Sequence, residues 1–369
     1  MRILMLSDIN SAHTQKWAIS LAERGLEVGV FSISGPRLDW YTEKGIQVFI
    51  PVKVDETVFS SGPVKKLLFL RLIPFLKRIQ KSFRPDIVHA HYATSYGFIG
   101  AMAGFHPFVI SAWGSDVKGL WPLKIIGKPL LKFNFRKADV LLATSRAMIP
   151  LIRAFSKKEV IVTPFGVDTD VFRKFDAGQM FDPDDLVIGT IKALEPTYGI
   201  PYLIKAFHIV KQRNPKLPLK LLIVGAGSME DELRSLVSEL SLVDSVVFNG
   251  SAPYKDVPVF YNRMDIFVAL SLWESFGVAV LEASACCLPV VVSDAGGLPE
   301  VVDPLKTGFI VPAANAEKAA DAIERLVLDE GLRHDMGKKG RAFIEEKYSI
   351  RDSVDRMLKV YRQLCPGVK

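Results

Sequence analysis

Residues 266–301 read IFVALSLWESFGVAVLEASACCLPVVVSDAGGLPEV, and the fold class is decided there. The apolar run from Ile266 to Leu270 is typical of a buried strand, and the small residues from Val278 to Cys286 predict a helix. The polar turn between them, 271–277, therefore opens at the carboxyl end of a strand, where open α/β sheets bind their ligands. The stretch predicts an α/β fold with a ligand-binding loop at this position.

Two glutamates, Glu274 and Glu282, flank the end of this turn. One lies in the loop and the other just over a turn into the helix, so both can face one crevice. The amides of Phe276, Gly277 and Val278 would form the open amino end of the helix, which suits anionic or hydroxyl-rich ligands. Carboxylates accept hydrogen bonds from diols, so the combination predicts a nucleotide-sugar site. For an isolated pair, two unrelated surface carboxylates would be the ordinary interpretation.

These residues resemble the donor-site signature of the retaining group 1 (family 4) glycosyltransferases of the GT-B fold. The matching segments are S-L-W-E-S-F-G at 271–277 and L-P-V-V-V-S-D-A-G-G-L-P-E-V-V at 288–302, with Glu282 between them. The resemblance implies that Glu274 contacts the donor sugar and that Glu282 contacts the nucleotide ribose. It also implies that the amides of 276–278 hold the sugar and the diphosphate.

The same resemblance implies an architecture and a reaction. The expected fold is GT-B, an α/β fold of two facing, Rossmann-like, doubly wound domains with an interdomain cleft. The expected reaction is a retaining, metal-independent hexosyl transfer from a UDP-sugar or GDP-sugar, without a cofactor, to a lipid-linked or polysaccharide acceptor.

The length of 369 residues exceeds what one hydrophobic core usually supports, so two domains are expected. With the resemblance, the predicted ranges are 1–172 for an acceptor-side Rossmann-like domain, 173–186 for a linker, 187–347 for the donor domain and 348–369 for a helix that returns to the first domain. Three cysteines are too few for a disulfide framework, and the amino terminus shows no secretory leader. Both observations predict a cytoplasmic protein.

One stretch raises the question of a membrane span, because residues 91–115 contain no Asp, Glu, Lys or Arg. It divides into a helix pattern at 95–104 and a strand pattern at 108–112, with histidine, serine and proline among the apolar residues. A buried α/β unit is therefore predicted instead of a span.

The net charge of +7 is concentrated in two segments, 63–85 and 118–137, which contain no acid. Basic apolar helices can lie on an anionic lipid surface, which would place the protein at the inner face of the membrane. A solvated cationic face is the equal alternative, because Pro74 is expected to break the amphipathic period. Binding to nucleic acid is not predicted, since the chain lacks an aromatic-interleaved basic motif and zinc-ligand spacing.

The first βαβ unit is predicted for strands at 2–7 and 28–33 around a helix at 14–24. Asn10 and His13 lie in the turn after the first strand, where relatives of the resembled family often have a paired-glycine loop that faces the cleft. They are candidates for contacts with the donor phosphates or the acceptor, although capping of the helix is the commoner role.

The segment PDIVHAH at 85–91 predicts a strand whose end carries His89 and His91 on one face. No third ligand lies nearby, so a metal site is not predicted. A cleft-facing His91 beside a packed His89 is favoured, and the resemblance of this segment to the family's D-I-V-H-A-H implies that His91 lies near the acceptor side. His91 is therefore placed among the candidate catalytic residues.

WGSDV at 113–117 is similar to the family's H-G-S-D-V, with Trp113 in place of the histidine. Asp116 is a candidate for a contact with a sugar hydroxyl or the acceptor, and capping of a helix is an equal alternative. Further on, Asp168 and Asp170 form a D-x-D pair, which binds metal in a different transferase fold. Here the pair lies in a segment that resembles the family's linker motif, so Asp168 is predicted to cap a turn.

The second half restarts the α/β pattern, and Gly225-Ala226-Gly227 follows a predicted strand at 220–224. The third glycine of a dinucleotide fingerprint is replaced by Glu230, so that motif fails. The turn resembles the family's V-G-x-G turn on the nucleotide side, which makes Gly225 and Gly227 candidate donor-binding residues. Ser251 follows the next predicted strand and is a candidate neighbour of the nucleobase.

The loop GTIKALEPTYG at 189–199 departs from the family, which usually presents an arginine and a lysine to the diphosphate. Their places fall on Lys192 or Ala193 and on Thr197 or Tyr198, and only Lys192 is cationic. A leaving diphosphate is stabilised by fixed cations and amides, so Lys192 is the predicted catalytic cation.

Rival interpretations stay open, and the missing cation motivates the first of them. They are a catalytically weak relative that binds a nucleotide sugar, a GT-B epimerase, and a glycosidase that uses Glu274 and Glu282 as acid and nucleophile. A second departure is Cys287, which replaces the glycine of the family's A-C-G-L-P and is expected to be a tolerated packing change.

Overall fold

The computed structural model describes residues 1–51, 69–118 and 124–368. The chain divides into two compact units, one formed by Met1–Phe165 with Arg351–Lys369 and the other by Gly166–Ile350. The predicted basic segments fall partly outside the described residues, at 63–68 and 119–123.

The first unit is built on a parallel sheet of seven strands in the order β3-β2-β1-β4-β5-β6-β7. The strands are β1 (Arg2–Leu6), β2 (Glu27–Phe31), β3 (Gln47–Phe49), β4 (Ile87–His91), β5 (Phe108–Ala112), β6 (Val140–Ala143) and β7 (Val160–Val162). Nearly every residue of β1, β2, β4 and β5 is buried, because parallel sheets carry helices on both faces. The strand order reverses between β1 and β4, which is where doubly wound sheets open a crevice for ligands.

Between these strands, the described residues form the helices α1 (Ala12–Glu23), α2 (Ile73–Phe83), α3 (Ser95–Ala103), α4 (Ser115–Lys118), α5 (Lys124–Lys137) and α6 (Ile149–Arg153). The stretch at 91–115, which contains no Asp, Glu, Lys or Arg, forms α3 and β5, as predicted. Pro74 was expected to break the amphipathic period, but it lies in the first turn of α2 and the helix continues after it. In the first turn the backbone N–H has no partner within the helix, so its absence in proline costs nothing. Within the described residues, no helix combines the length and the apolarity needed to cross a membrane.

The second unit repeats the design with a parallel sheet of six strands in the order β10-β9-β8-β11-β12-β13. Its strands are β8 (Leu186–Ile191), β9 (Leu219–Val224), β10 (Val246–Gly250), β11 (Ile266–Ala269), β12 (Val290–Ser293) and β13 (Gly308–Val311). Its helices are α7 (Ile200–Arg213), α8 (Glu230–Glu239), α9 (Val257–Tyr261), α10 (Val278–Ala285), α11 (Ala316–Leu328) and α12 (Glu330–Lys347). The order reverses between β8 and β11. Both units are therefore doubly wound α/β domains, as predicted.

The segment that joins the first unit to the second packs within the second. Gly166 approaches Ile350 so closely that an added Cβ would lie 2.4 Å from the Ile350 Cα. The Arg341 guanidinium donates to the carbonyl oxygens of Phe172 (2.6 Å), Ala285 (2.8 Å) and Thr169 (3.0 Å). The second unit thus begins at Gly166, whereas the sequence pattern placed the boundary after residue 172.

The last helix, α13 (Ile350–Leu364), packs with the first unit along most of its length. Its buried residues include Val354, Met357 and Tyr361, and Asp355 forms an ion pair with Arg24, the residue directly after α1. An amphipathic helix was predicted at 353–363, and the structure confirms it.

Helix α10 ends in a Schellman motif that normally contains glycine. The amide of Leu288 donates to the Ala283 carbonyl (3.1 Å), and the amide of Cys287 donates to the Ser284 carbonyl (3.0 Å). Cys287 has a φ of +62°, in the left-handed region. The residue that replaces the family's glycine therefore has a conformational cost and is more than the packing change expected from the sequence.

We predict that Cys287→Gly stabilises the protein by up to about 1 kcal/mol, because glycine adopts a positive φ without steric cost. Thermal unfolding of the two proteins at one pH measures the difference. Cys287→Ala is the matched control, since it removes the thiol but keeps the Cβ. An equal gain from alanine would show that the thiol, and not the backbone conformation, limits stability.

Candidate active site

Two residues predicted to share a donor site meet in the second unit. Lys192 follows β8, Glu274 follows β11, and these strands are parallel neighbours. The Lys192 Nζ lies 2.6 Å from the Glu274 Oε2, and the side chains are only 11% and 14% exposed. Because ion pairs gain strength as water is excluded, this pair is a well-defined charge site at the sheet edge.

The loop that carries Glu274 is shaped by glycines. Gly277 has a φ of +112°, and an added Cβ would lie 2.9 Å from the Leu298 side chain, so only glycine fits before α10. Helix α10 begins at Val278, directly after it, as predicted. Gly296 supports the other side of the loop, since a Cβ there would lie 2.0 Å from the Glu274 carbonyl oxygen. Phe276 is buried beneath the turn.

Glu282 lies on α10, is only 6% exposed and is bound by two phenols. Tyr254 donates to its Oε1 (3.1 Å), and Tyr261 lies 3.2 Å from its Oε2. Burial, together with the neighbouring Glu282 carboxylate, raises the pKa of both tyrosines, so they stay protonated and can donate. Neither tyrosine was found from the sequence, because both come from a segment outside the motif that contains Glu282.

The loop after β9 packs directly against the loop that carries Lys192. A Cβ on Gly225 would lie 1.8 Å from the Lys192 carbonyl oxygen, and one on Gly227 would lie 2.4 Å from the Leu194 carbonyl oxygen. These glycines thus permit contact between two backbones, and their predicted contact with a donor stays a prediction. Ser251 is exposed at the end of β10.

In the first unit, His91 ends β4 within a group of aromatic rings. Its ring centroid lies 4.4 Å from that of His89 and 4.7 Å from that of Trp113. His13 stacks on Phe165 with centroids 4.2 Å apart and meets Trp113 edge-on. The structure therefore brings together two of the four candidates in this unit, His91 and His13, around the ring of Trp113.

His89 and His91 are buried and neutral. The Nδ1 of His89 lies 2.6 Å from the Tyr361 hydroxyl of α13, and its Nε2 lies 2.8 Å from the Ser111 hydroxyl. Burial lowers the pKa of His89 to about 3 and that of His91 well below its usual value. His89 is packed, as predicted, whereas His91 is only 2% exposed and lies deeper than a cleft-facing residue was expected to.

The other two candidates of this unit bind backbone groups. The Asn10 side chain donates to the Gly35 carbonyl (2.9 Å) and accepts from the Arg37 amide (2.8 Å). Asp116 is buried and accepts from the amides of Ala93 (2.6 Å), Gly114 (2.7 Å) and Trp113 (3.1 Å). Burial raises the pKa of Asp116 against the lowering effect of these amides. Asp116 thus binds the amides just before α4, which favours the capping alternative, whereas Asn10 binds the loop at 35–37 and does not cap α1. Contacts with an acceptor stay predictions.

The D-x-D pair is a turn cap, as predicted. Asp168 Oδ1 accepts from the amides of Asp170 (2.9 Å) and Val171 (3.3 Å). In the part of the chain that the structure describes, no three His, Cys, Asp or Glu side chains form a group that could hold a metal ion.

Comparison with known proteins places the chain in a family. Residues 171–343 match the family model of "Glycosyl transferases group 1", and residues 2–145 match that of "Glycosyl transferase 4-like". The chain belongs to the group 1 glycosyltransferases. A D-inositol 3-phosphate glycosyltransferase from Pseudarthrobacter chlorophenolicus is 27% identical across 89% of this chain and 84% of that protein.

Solved glycosyltransferase structures share the GT-B fold of this group 1 chain. Sucrose-phosphate synthase from Thermosynechococcus elongatus has a TM-score of 0.87 at 21% identity and covers 100% of both chains. HepE from Anabaena, in complex with UDP and glucose, has a TM-score of 0.81 at 19% identity and covers 99% of this chain and 100% of its own. The predicted family and fold are confirmed, and the individual site residues stay predictions.

The buried histidines of this glycosyltransferase predict a loss of stability in acid. Their pKa values are lower in the folded state than the ordinary 6.5, so the unfolded chain takes up protons first as the pH falls. The contribution of the neutral histidines to the free energy of unfolding is therefore fully present above pH 6.5. Below that pH it declines by about 1.4 kcal/mol per pH unit for each histidine that stays neutral in the folded state.

Thermal unfolding between pH 7 and pH 5 measures this effect, with His89→Gln as the comparison because glutamine can also donate and accept one hydrogen bond. The variant is expected to lose less stability over this interval than the natural protein. Equal losses would show that His89 does not titrate in the unfolding equilibrium.

Proposed function

We propose that this glycosyltransferase is a retaining enzyme that moves a sugar from a UDP-sugar or GDP-sugar to a lipid-linked or polysaccharide acceptor. The observation that carries the proposal is the Lys192–Glu274 pair, whose atoms lie 2.6 Å apart at the point where the sheet order of the second unit reverses. A cation and a carboxylate side by side match the groups on the two sides of the reacting bond, which are the diphosphate and the sugar with its hydroxyls.

Each predicted residue has a role in this proposal. Glu274 accepts hydrogen bonds from the donor sugar, and Lys192 stabilises the charge that develops on the departing diphosphate. Glu282, kept in place by Tyr254 and Tyr261, accepts from the ribose hydroxyls. The amides of 276–278 and the glycine turn at 225–227 lie beside the donor, and Ser251 lies beside its base. His91, His13, Asn10 and Asp116 belong to the acceptor side.

The proposal also includes retention and independence from metal, which the same groups support. The proposal assigns no protein nucleophile, so an oxygen of the leaving phosphate, or a short-lived ion pair, guides the acceptor to the face that the phosphate leaves. Lys192 supplies the positive charge that a metal ion provides in other transferases. HepE, whose structure contains UDP and glucose, supports a nucleotide-sugar donor by its similarity in fold.

Glu274→Ala is expected to lower sugar transfer at least about a hundredfold, because a group of this kind contributes about that much to the rate. The assay is run in EDTA with radiolabelled UDP- and GDP-sugars, since the proposed reaction needs no metal. Glu239→Ala, which changes an exposed glutamate on α8, is the matched control. Unchanged turnover in a folded Glu274→Ala protein would refute the site. Donor binding without transfer or hydrolysis in the natural protein would favour the weak binding relative.

The acceptor class rests on a surface of the first unit that consists of α2, α3 and α5. Helix α3 packs against both of the others and presents Phe98 and the exposed Met102. Exposed cations lie on the two flanking helices: Lys77, Arg78 and Lys81 on α2, and Lys128, Lys132, Arg136 and Lys137 on α5. An apolar helix between two basic ones suits an anionic lipid surface, from which a lipid-linked acceptor would be reached.

Cosedimentation with anionic and neutral vesicles at low salt tests this surface. Reversing Lys77, Arg78 and Lys81 to glutamate is expected to weaken binding to anionic vesicles at least about a hundredfold, since each basic residue contributes about 1 kcal/mol. The same reversal at Lys205, Lys216 and Lys338, which are exposed in the second unit, is the control. Indifference of the natural protein to lipid charge would eliminate the membrane proposal.

A further inference from the structure

The ammonium of Lys192 has a second neighbour that the proposed function does not use. Its Nζ lies 4.9 Å from the centroid of the Tyr198 ring, and 2.6 Å from the Glu274 Oε2. An ammonium within about 6 Å of an aromatic centroid is attracted by the negative face of the ring. Lys192 is therefore held between a carboxylate and a π surface.

The turn that carries Tyr198 is itself held in place. Tyr198 ends a 3-10 turn, Pro196–Tyr198, and Gly199 follows with a φ of +65°. An added Cβ on Gly199 would lie 2.0 Å from the Leu270 carbonyl oxygen, so only glycine lets this turn approach the end of β11. The Leu272 amide donates to the Thr197 carbonyl (2.8 Å), which ties the turn to the loop of Glu274. The backbone that carries the tyrosine is therefore tied to the loop of Glu274.

A tyrosine at this position also fits the single cation of the loop. A lysine here, at one of the two places to which the resemblance assigned the family's lysine, would add a second positive charge to this loop. An aromatic ring instead attracts the one ammonium present and adds no charge. A lysine side chain is long and flexible, so a fixed ring beside it reduces the number of positions that its ammonium can adopt.

We infer that Tyr198 is a positioning residue for Lys192, whose ring holds the ammonium where it meets Glu274 and the diphosphate of the donor. The inference rests on the proposed function, since it assumes that Lys192 binds the diphosphate. Its consequence is that affinity for a nucleoside diphosphate depends on the ring, and that this dependence vanishes when Lys192 is absent.

A double-mutant cycle measured by calorimetry tests this inference with UDP and GDP as the ligands. Tyr198→Leu removes the ring and is expected to weaken binding about three- to thirtyfold. Tyr198→Phe keeps the ring and is expected to retain most of the affinity. In a Lys192→Met background, Tyr198→Leu is expected to change the affinity less than twofold, because the group through which it acts is missing.

Three results of the cycle would overturn the inference. They are an unchanged affinity in Tyr198→Leu, an equal loss from Tyr198→Leu with and without Lys192, and an equal loss from Tyr198→Phe. The second result would assign the ring a structural role, and the third would assign the effect to the hydroxyl group. Thermal unfolding of each variant shows whether it is folded.

A second measurement needs no ligand and separates this inference from the proposed function. In a crystal structure of Tyr198→Leu, the ammonium of Lys192 is expected to be disordered or to lie beyond roughly 4 Å from Glu274, the usual limit of a salt bridge. A retained contact at 2.6 Å would overturn the inference. Failure of the natural protein to bind UDP and GDP would instead overturn the proposed function, and the crystal structure would then decide the role of Tyr198.

Discussion

The candidate donor site depends on one constraint, the pairing of β8 with β11 as parallel neighbours. Lys192 and Glu274 are 82 positions apart in the chain, and they meet because both strands end at the same edge of the sheet. Their side chains are mostly buried, so either charge alone would lack the water that normally stabilises it. The sheet order thus creates the pair, and the pair keeps both charges in place.

Glycines in the neighbouring loops pack against the backbones of Lys192 and Glu274. An added Cβ at Gly225 would collide with the carbonyl oxygen of Lys192, and one at Gly296 would collide with that of Glu274. The amide of Gly297 also donates to the Glu274 carbonyl at 2.9 Å. The two glycine turns therefore fix the backbones of the charged residues, which explains part of the motif without any contact with a ligand.

The sequence predicted those features that depend on local pattern. Apolar runs located the strands, and the glycines and polar turns located the loops that carry Lys192 and Glu274. What it did not predict are partners from distant segments, such as Tyr254 and Tyr261 on Glu282. The positive φ at Cys287 was also missed, because it depends on how α10 ends and not on the residue found there.

The ion pair also indicates which groups a ligand must carry. Lys192 and Glu274 lie in a place with little water, so a ligand that draws them apart must offer an acceptor to the ammonium and a donor to the carboxylate. A nucleoside diphosphate offers acceptors alone, and it can bind Lys192 while the ammonium keeps its contact with Glu274, because an ammonium has three N–H donors. The proposed donor offers both kinds of group, since its diphosphate accepts from Lys192 while its sugar hydroxyls donate to Glu274. In the proposed reaction, the sugar would therefore be recognised directly beside the cation that stabilises its leaving group.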